Sequence, residues 1–147
     1  MVRIFIVDDD CSTLKLYQKI PNICGFEIMA MARNGEDAVS KFRNFKIKPD
    51  LIIMDYHMPV KDGKEAAEEI LELDKNAKLI ICSGDSNVKE EVISMGALDF
   101  IDKPFSLKIF LNKINNICNN LIPSNEESNN ILPFLSKKNA LKLGILL

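Results

Sequence analysis

Residues 50–59 read Asp-Leu-Ile-Ile-Met-Asp-Tyr-His-Met-Pro, a short apolar run that ends in an acidic residue and a proline-containing loop. Such a run, bounded by turn-forming residues, is typical of a strand that is buried on both faces of a sheet. Four similar apolar runs occupy residues 3–7, 27–32, 79–82 and 99–101. We therefore predict five buried strands, with residues 51–54 as the third.

Helical patterns lie between these strands, at about residues 12–24, 35–45, 64–73, 88–94 and 107–121. Strand and helix alternate five times, which predicts an α/β fold with a doubly wound, five-stranded parallel sheet and helices on both faces. Pro21 should kink or end the first helix. The last helix has the clearest apolar stripe, and Ser106 is placed to cap it. The stripe consists of Leu107, Phe110, Leu111, Ile114, Ile117 and Leu121.

The length and composition indicate one globular domain with a tail. A chain of 147 residues allows one sizeable core, and 47% hydrophobic with 27% charged residues fits neither a disordered nor a membrane protein. From Ser124 the composition becomes polar, so we place the domain at residues 1–122 and a polar linker with a short C-terminal tail at 123–147. The tail is too short for a DNA-binding output domain.

Three interpretations of the tail remain open. Residues 133–143 could form a short helix with Phe134, Leu135 and Leu141 on one side, but Lys138 and Lys142 fall in the same arc. The tail could dock on a partner, fold back on the domain or be disordered.

The charge and cysteine content exclude several functions. A net charge of −2 provides no basic face for nucleic acid. Cys11, Cys24, Cys82 and Cys118 are scattered and form no zinc motif with the single histidine, so we expect reduced thiols. The apolar run after Met1 is too short for a signal peptide or a membrane span. These features predict a cytoplasmic protein without direct contact to membrane or nucleic acid.

Chemically selective residues follow the predicted strands. The first strand is followed by Asp8, Asp9 and Asp10, the third by Asp55, the fourth by Ser83, and Lys103 comes shortly after the fifth. Because the carboxyl ends of parallel strands share one edge, where doubly wound sheets bind ligands, these side chains should converge.

Crowded carboxylates resist ionisation unless a cation lies among them, so the cluster itself predicts a bound metal. Oxygen ligands favour Mg²⁺ or Mn²⁺ over zinc, and Mg²⁺ commonly completes its coordination with phosphate oxygens. Phosphoryl transfer needs an oxygen nucleophile, a metal and donors around the moving group. Asp55 would be the nucleophile, with Ser83 and Lys103 as donors, although a single aspartate after a strand is more often a turn or cap residue.

These motifs resemble the receiver domains of two-component response regulators, in particular chemotaxis-type single-domain receivers. The resemblance covers about residues 2–121 and rests on 4–10, 50–59 with Asp62-Gly63, 80–84 and 96–105. It implies a flavodoxin-like fold with strand order 2-1-3-4-5. It also implies a phosphoacceptor in a phosphorelay that assists its own phosphorylation and dephosphorylation but is not an enzyme.

The resemblance implies roles for individual residues. Asp9 would bind Mg²⁺ (or Mn²⁺) directly, Asp8 mainly through water, Asp55 as second ligand and phosphoacceptor, and His57 through its backbone carbonyl. Ser83 would bind a phosphoryl oxygen, and Lys103 would pair with Asp55 before transfer and with the phosphoryl group afterwards. Four other aspartates would be solvated, capping or turn residues: Asp10, Asp50, Asp62 and Asp102.

The resemblance also implies a switch. Phosphorylation of Asp55 would draw Ser83 inwards, Phe100 would follow, and the face formed by the fourth helix, fifth strand and fifth helix would change. Phe100 replaces the family's frequent tyrosine, so a hydrogen-bonded outward rotamer is impossible. The side chains of His57 and Asp85 would tune hydrolysis of the phosphoryl group, unless His57 is simply a surface residue.

Expected partners are a histidine kinase or phosphotransfer protein upstream, and an effector protein or a second copy downstream. One alternative is a Mg²⁺-dependent phosphohydrolase with an aspartyl-phosphate intermediate. Such enzymes usually have an acid two residues after the nucleophile, where this chain has His57. Another alternative keeps the fold as a phosphorylation-independent interaction module, which the complete acidic set disfavours.

Overall fold

The computed structural model describes residues 1–20 and 26–121. Five strands form one parallel sheet in the order β2-β1-β3-β4-β5, which confirms the predicted fold and topology. The strands are β1 Arg3–Val7, β2 Glu27–Ala32, β3 Leu51–Asp55, β4 Leu79–Ser83 and β5 Asp99–Asp102. The last three run one residue further than predicted, because Asp55 still pairs with Cys82, and Ser83 with Asp102.

Five α-helices lie within the described residues, and a short 3₁₀ turn, Ser86–Val88, leads into the fourth. They are α1 Cys11–Tyr17, α2 Gly35–Asn44, α3 Gly63–Leu73, α4 Lys89–Met95 and α5 Leu107–Leu121. None of the helices in this part of the chain has the length and hydropathy to span a bilayer.

The first helix is shorter than predicted. It ends at Tyr17, and the next backbone bonds, from Lys19 N to Leu16 O (3.0 Å) and from Ile20 N to Tyr17 O (3.1 Å), have the tighter three-residue spacing. A proline disfavours helical geometry at the residue before it, here Ile20. Of the two effects predicted for Pro21, a kink or an early end of the helix, the end at Tyr17 agrees with the second. Pro21 itself and the predicted tail at 123–147 lie outside the described residues, so the tail and the domain boundary stay predictions.

One face of the sheet is covered by α2, α3 and α4. Alternate strand residues such as Phe5, Ile52 and Ile81 form a buried cluster with Phe42 of α2 and Ile70 of α3. Their strand neighbours point to the opposite face and are equally buried. Burial on both faces explains why the strands read as continuous apolar runs rather than as alternating patterns.

The chain divides into two compact units, Met1–Lys103 and Pro104–Leu147. The described part of the second unit contains α5, where Ser106 Oγ accepts a hydrogen bond from Ile109 N (3.2 Å), as expected of a cap. Of the predicted stripe, Leu107, Phe110, Leu111 and Ile114 are buried, whereas Ile117 is partly exposed. The Phe105 and Phe110 rings stack with their centroids 5.5 Å apart.

Side-chain caps begin the helices that follow β1, β2 and β3. Asp10 caps α1, Asn34 caps α2 and Asp62 caps α3, each accepting a backbone N–H of the first turn. The prediction for Asp10 and Asp62 is thereby confirmed. Asp50 is different from the prediction, because its carboxylate forms a two-pronged ion pair with the Arg3 guanidinium (3.0 and 3.1 Å) that ties β1 to the start of β3.

Candidate functional site

The carboxyl ends of β1, β3 and β4, with the residue after β5, meet at one edge of the sheet. The register brings them together: Val7 pairs with Met54, so Asp8 and Asp55 leave neighbouring strands side by side. Ser83 ends β4 opposite Asp102, and Lys103 N donates to Ser83 O (2.8 Å). The edge therefore assembles residues that are up to 95 positions apart in sequence.

Lys103 lies between two buried carboxylates. Its Nζ is 3.0 Å from Asp8 Oδ2 and 3.1 Å from Asp55 Oδ1, while Asp8 is 2% and Asp55 8% exposed. Asp8 also accepts a hydrogen bond from Asp10 N (2.9 Å), which fixes the orientation of its carboxylate. The pairing of Lys103 with Asp55 is the one expected of the unphosphorylated state, whereas its second bond, to Asp8, was not predicted.

Burial and charge oppose each other in this cluster. The pKa of Asp55 is raised to about 6: burial raises it most, Asp8 and Asp9 also raise it, and the nearby Lys103 ammonium offsets part of the increase. Burial alone would lower the pKa of Lys103, but its attraction to Asp8 and Asp55 outweighs that, so the pKa is raised and the side chain stays charged. The Lys103 ammonium contacts two of the three carboxyl groups in this cluster, which leaves an excess of negative charge.

A divalent cation fits this arrangement. Asp8, Asp9 and Asp55 can each offer one carboxylate oxygen within 4.8 Å of the others, and Asp9 is the most open of the three to solvent. Carboxylate oxygens are the ligands that Mg²⁺ and Mn²⁺ prefer, and a cation there would neutralise the excess charge.

The two residues predicted to switch lie on adjacent strands. Ser83 is 1% exposed, and its Oγ accepts a hydrogen bond from Asp85 N (3.0 Å). Phe100 is buried on β5, where it pairs with Ile81, two residues before Ser83. Asp85 caps the 3₁₀ turn that leads into α4. The two residues thus lie on neighbouring strands, and their switching roles remain predictions.

His57 belongs to the loop between β3 and α3. Its side chain is exposed and its ring meets that of Tyr56 edge-on, with the centroids 4.8 Å apart. The loop is closed tightly, because Gly63 N donates to Tyr56 O (2.7 Å). A Cβ on Gly63 would lie 2.2 Å from the Asp55 carbonyl oxygen, so only glycine fits behind the acidic residue.

Two ion-pair groups around this loop were not predicted. Glu91 of α4 accepts from Tyr56 Oη (3.4 Å) and pairs with Lys64 (3.0 Å). Lys61 pairs with Glu36 of α2 (3.2 Å) and with Glu69 of α3. These partners are eight or more residues apart, so the i,i+4 spacing of a helix does not predict them. The pair of Lys64 with Glu68, also near this loop, does have that spacing.

Comparisons with known proteins agree on one family. A family model described as the response regulator receiver domain matches residues 4–115. The chain is 38% identical over 117 residues to the chemotaxis protein CheY of Thermotoga maritima, covering 78% of this chain and 96% of that protein. It is 40% identical over 119 residues to CheY of Bacillus subtilis, covering 80% and 98%.

Solved structures share the fold. A chain of a CheX–CheY–BeF₃–Mg²⁺ complex from Borrelia burgdorferi has a TM-score of 0.75 and 33% identity, covering 80% of this chain and 89% of that one. The response regulator TrrA of Thermotoga maritima, solved with Mg²⁺–BeF, has a TM-score of 0.70 and 33% identity, covering 80% and 99%.

Proposed function

Because this chain belongs to the response regulator receiver domain family, we propose that it is a phosphorelay switch whose phosphoacceptor is Asp55. The observation that carries the proposal is the buried Asp55 carboxylate, held by Lys103 within a cluster of three aspartates. The proposed receiver covers residues 1–122.

Mg²⁺ or Mn²⁺ would be held by Asp8, Asp9, Asp55 and the His57 carbonyl, with Asp8 acting mainly through water. The bound cation would neutralise charge on the phosphoryl oxygens during transfer. Support comes from the fit of the carboxylate cluster and from family members solved with Mg²⁺.

The protein's own residues would position and stabilise the transferred group. An Asp55 oxygen attacks the phosphorus of the donor, the bond from phosphorus to the donor breaks, and an acyl phosphate forms. Lys103 is already within 3.1 Å of the attacking carboxylate, so its ammonium can bond the new phosphoryl oxygens without leaving the site. The Ser83 hydroxyl donates to another of these oxygens.

The switch would follow from this new bond. Ser83 Oγ now accepts from Asp85 N, at the cap of the turn that leads into α4, so movement of Ser83 would release that contact. Phe100 would then rotate into the space that Ser83 leaves, and the face of α4, β5 and α5 would change. That face would bind an effector protein or a second copy.

A histidine kinase or phosphotransfer protein would supply the phosphoryl group. The chain would be a phosphoacceptor that assists its own phosphorylation and dephosphorylation rather than an enzyme. His57, which is exposed, and Asp85, which is partly buried, would flank the proposed site and set the rate of hydrolysis.

The test is intact-mass analysis after treatment with acetyl phosphate across a Mg²⁺ titration, comparing the native chain with Asp55→Asn. We expect a metal-dependent adduct of one phosphoryl group that the variant lacks. No adduct at any metal concentration would contradict the proposal and favour a phosphorylation-independent module. Rapid turnover of small phosphate esters would instead indicate a phosphohydrolase.

A further inference from the structure

The loop between β3 and α3, residues 56–62, contains a backbone conformation that its sequence does not favour. Val60 has φ of 70°, in the left-handed region that a β-branched residue rarely adopts. Lys61 N donates to Pro59 O (2.9 Å) across Val60, a three-residue turn of the strained kind. The Val60 side chain is 84% exposed, so its own packing does not stabilise the turn.

Strained backbone persists only where the surroundings fix it. On the Asp55 side, Tyr56 N donates to Cys82 O (2.9 Å) and Gly63 N closes the loop onto Tyr56 O. On the other side, the Lys61 carbonyl accepts from Gly35 N (3.0 Å), the first residue of α2. A Cβ on Gly35 would lie 2.4 Å from that carbonyl oxygen, so glycine there allows the loop to sit close against α2.

The Lys61 side chain adds a second attachment next to the strained residue. Its ammonium lies between Glu36 of α2 and Glu69 of α3, and the side chain is only 17% exposed. Lys61 directly follows Val60, so its ion pairs attach this part of the loop to two helices. If these ion pairs were lost, the turn could relax and residues 57–60 would shift.

We propose that Lys61 is a positioning residue for the metal site, holding the loop so that the His57 carbonyl faces the acidic cluster. This inference rests on the proposed function, because it requires His57 to be a ligand. His57 lies three residues before Val60, within the same closed loop, so relaxation at Val60 would move its carbonyl. The Lys61 side chain itself does not touch the metal.

The test measures Mg²⁺ affinity in the full chain by following backbone amide shifts in ¹H–¹⁵N NMR, the His57 amide among them. We expect Lys61→Met to weaken binding by about tenfold, the lower end of what loss of an outer-shell partner causes. Lys61→Arg should restore most of the affinity, because a guanidinium keeps both ion pairs. The metal-free His57 amide shift should also differ from native in Lys61→Met and return in Lys61→Arg.

Lys41→Met is the matched control. Lys41 also pairs with a carboxylate, Asp37 (2.8 Å), and donates to a backbone carbonyl, that of Met31 (2.7 Å), but within α2 and β2. It should lower stability without changing Mg²⁺ affinity or the His57 shift. Should Lys61→Met fail to fold, Glu36→Gln removes one exposed ion pair and should give a smaller loss in the same direction.

The outcomes separate the two proposals. Native-like affinity in Lys61→Met, or an equal loss in Lys41→Met, would overturn the positioning role while the phosphoacceptor proposal stands. Absence of saturable Mg²⁺ binding by the native chain would overturn both.

Discussion

At Asp55, burial and the nearby Lys103 ammonium have opposite effects on the pKa of the carboxyl group. Asp55 is 8% exposed and has two acidic neighbours, and the Lys103 ammonium offsets only part of the resulting rise in its pKa. A pKa of about 6 means that the folded protein binds a proton there more tightly than the unfolded chain, whose aspartates titrate near 3.8. Ionisation of Asp55 therefore lowers the stability of the folded protein relative to the unfolded chain.

The first prediction concerns pH and stability. Because the folded pKa of Asp55 is raised, its contribution to stability is present at low pH and is lost as the pH rises towards and through about 6. Between pH 5 and pH 7.5 the native chain should lose about 1 kcal/mol more unfolding free energy than Asp55→Asn, in which this titration is absent. Urea unfolding in EDTA at both pH values measures it; equal pH dependence in both chains would show that Asp55 titrates normally.

The second prediction concerns the glycine behind Asp55. A Cβ on Gly63 would lie 2.2 Å from Asp55 O and 2.8 Å from Tyr56 Cα, which are backbone atoms that cannot move without shifting the site. Gly63→Ala should therefore lower the unfolding free energy by about 1–3 kcal/mol, as overpacking does. At Gly84 the nearest atom would be 3.7 Å away, so Gly84→Ala should change stability by less than about 1 kcal/mol. Chemical denaturation of both compares them, and similar losses would exclude the close contact as the cause.

The secondary-structure elements were predictable from sequence where neighbouring residues determine them. The strands were found because they are buried on both faces, and Asp10 and Asp62 were recognised as cap or turn residues from their type and place. The end of α1 was missed because helical periodicity continues past Tyr17, whereas the backbone tightens before Pro21. Contacts such as Arg3 with Asp50, 47 residues apart, depend on register and cannot be read from spacing.

The convergence of the site residues was predictable for a related reason. Asp55 and Ser83 end their strands, Asp8 and Lys103 directly follow theirs, and parallel order places such positions at one edge. The ion pairing at this edge could not be predicted from the sequence. The Lys103 ammonium pairs with both Asp8 and Asp55, and this depends on side-chain geometry.

The third prediction belongs to α2, whose first turn carries Gly35 and Glu36 next to Lys61. Asn34 caps this helix by accepting a hydrogen bond from Asp37 N (2.8 Å). Asn34→Ala should lower the unfolding free energy by about 1 kcal/mol, and Asn34→Ser, which keeps a capping oxygen, should recover most of it. Thermal and urea denaturation measure the change. Equal stability of the Ala and Ser variants would mean that the hydrogen bond contributes nothing.

At the scale of the whole molecule, the site exists only when the sheet is formed. Its acidic residues come from β1 and β3, its hydroxyl from β4 and its ammonium from the residue after β5, so the unfolded chain holds none of them together. A ligand that needs this constellation binds the folded state alone. Metal binding and global stability should therefore be thermodynamically linked.

The last prediction follows from that linkage. Mg²⁺ should raise the unfolding free energy with the logarithm of its concentration, reaching about 2.7 kcal/mol at a hundredfold excess over the dissociation constant. Asp9→Asn should remove most of this gain, because Asp9 is the proposed direct ligand. In EDTA the variant should be at least as stable as the native chain, because one negative charge leaves a cluster of three carboxyl groups. Urea unfolding across a Mg²⁺ series, at constant ionic strength, gives both values. An equal Mg²⁺ response in the two chains would place the cation outside the acidic cluster. Stabilisation by NaCl as strong as by MgCl₂ would mean that salt only screens the repulsion between the carboxylates.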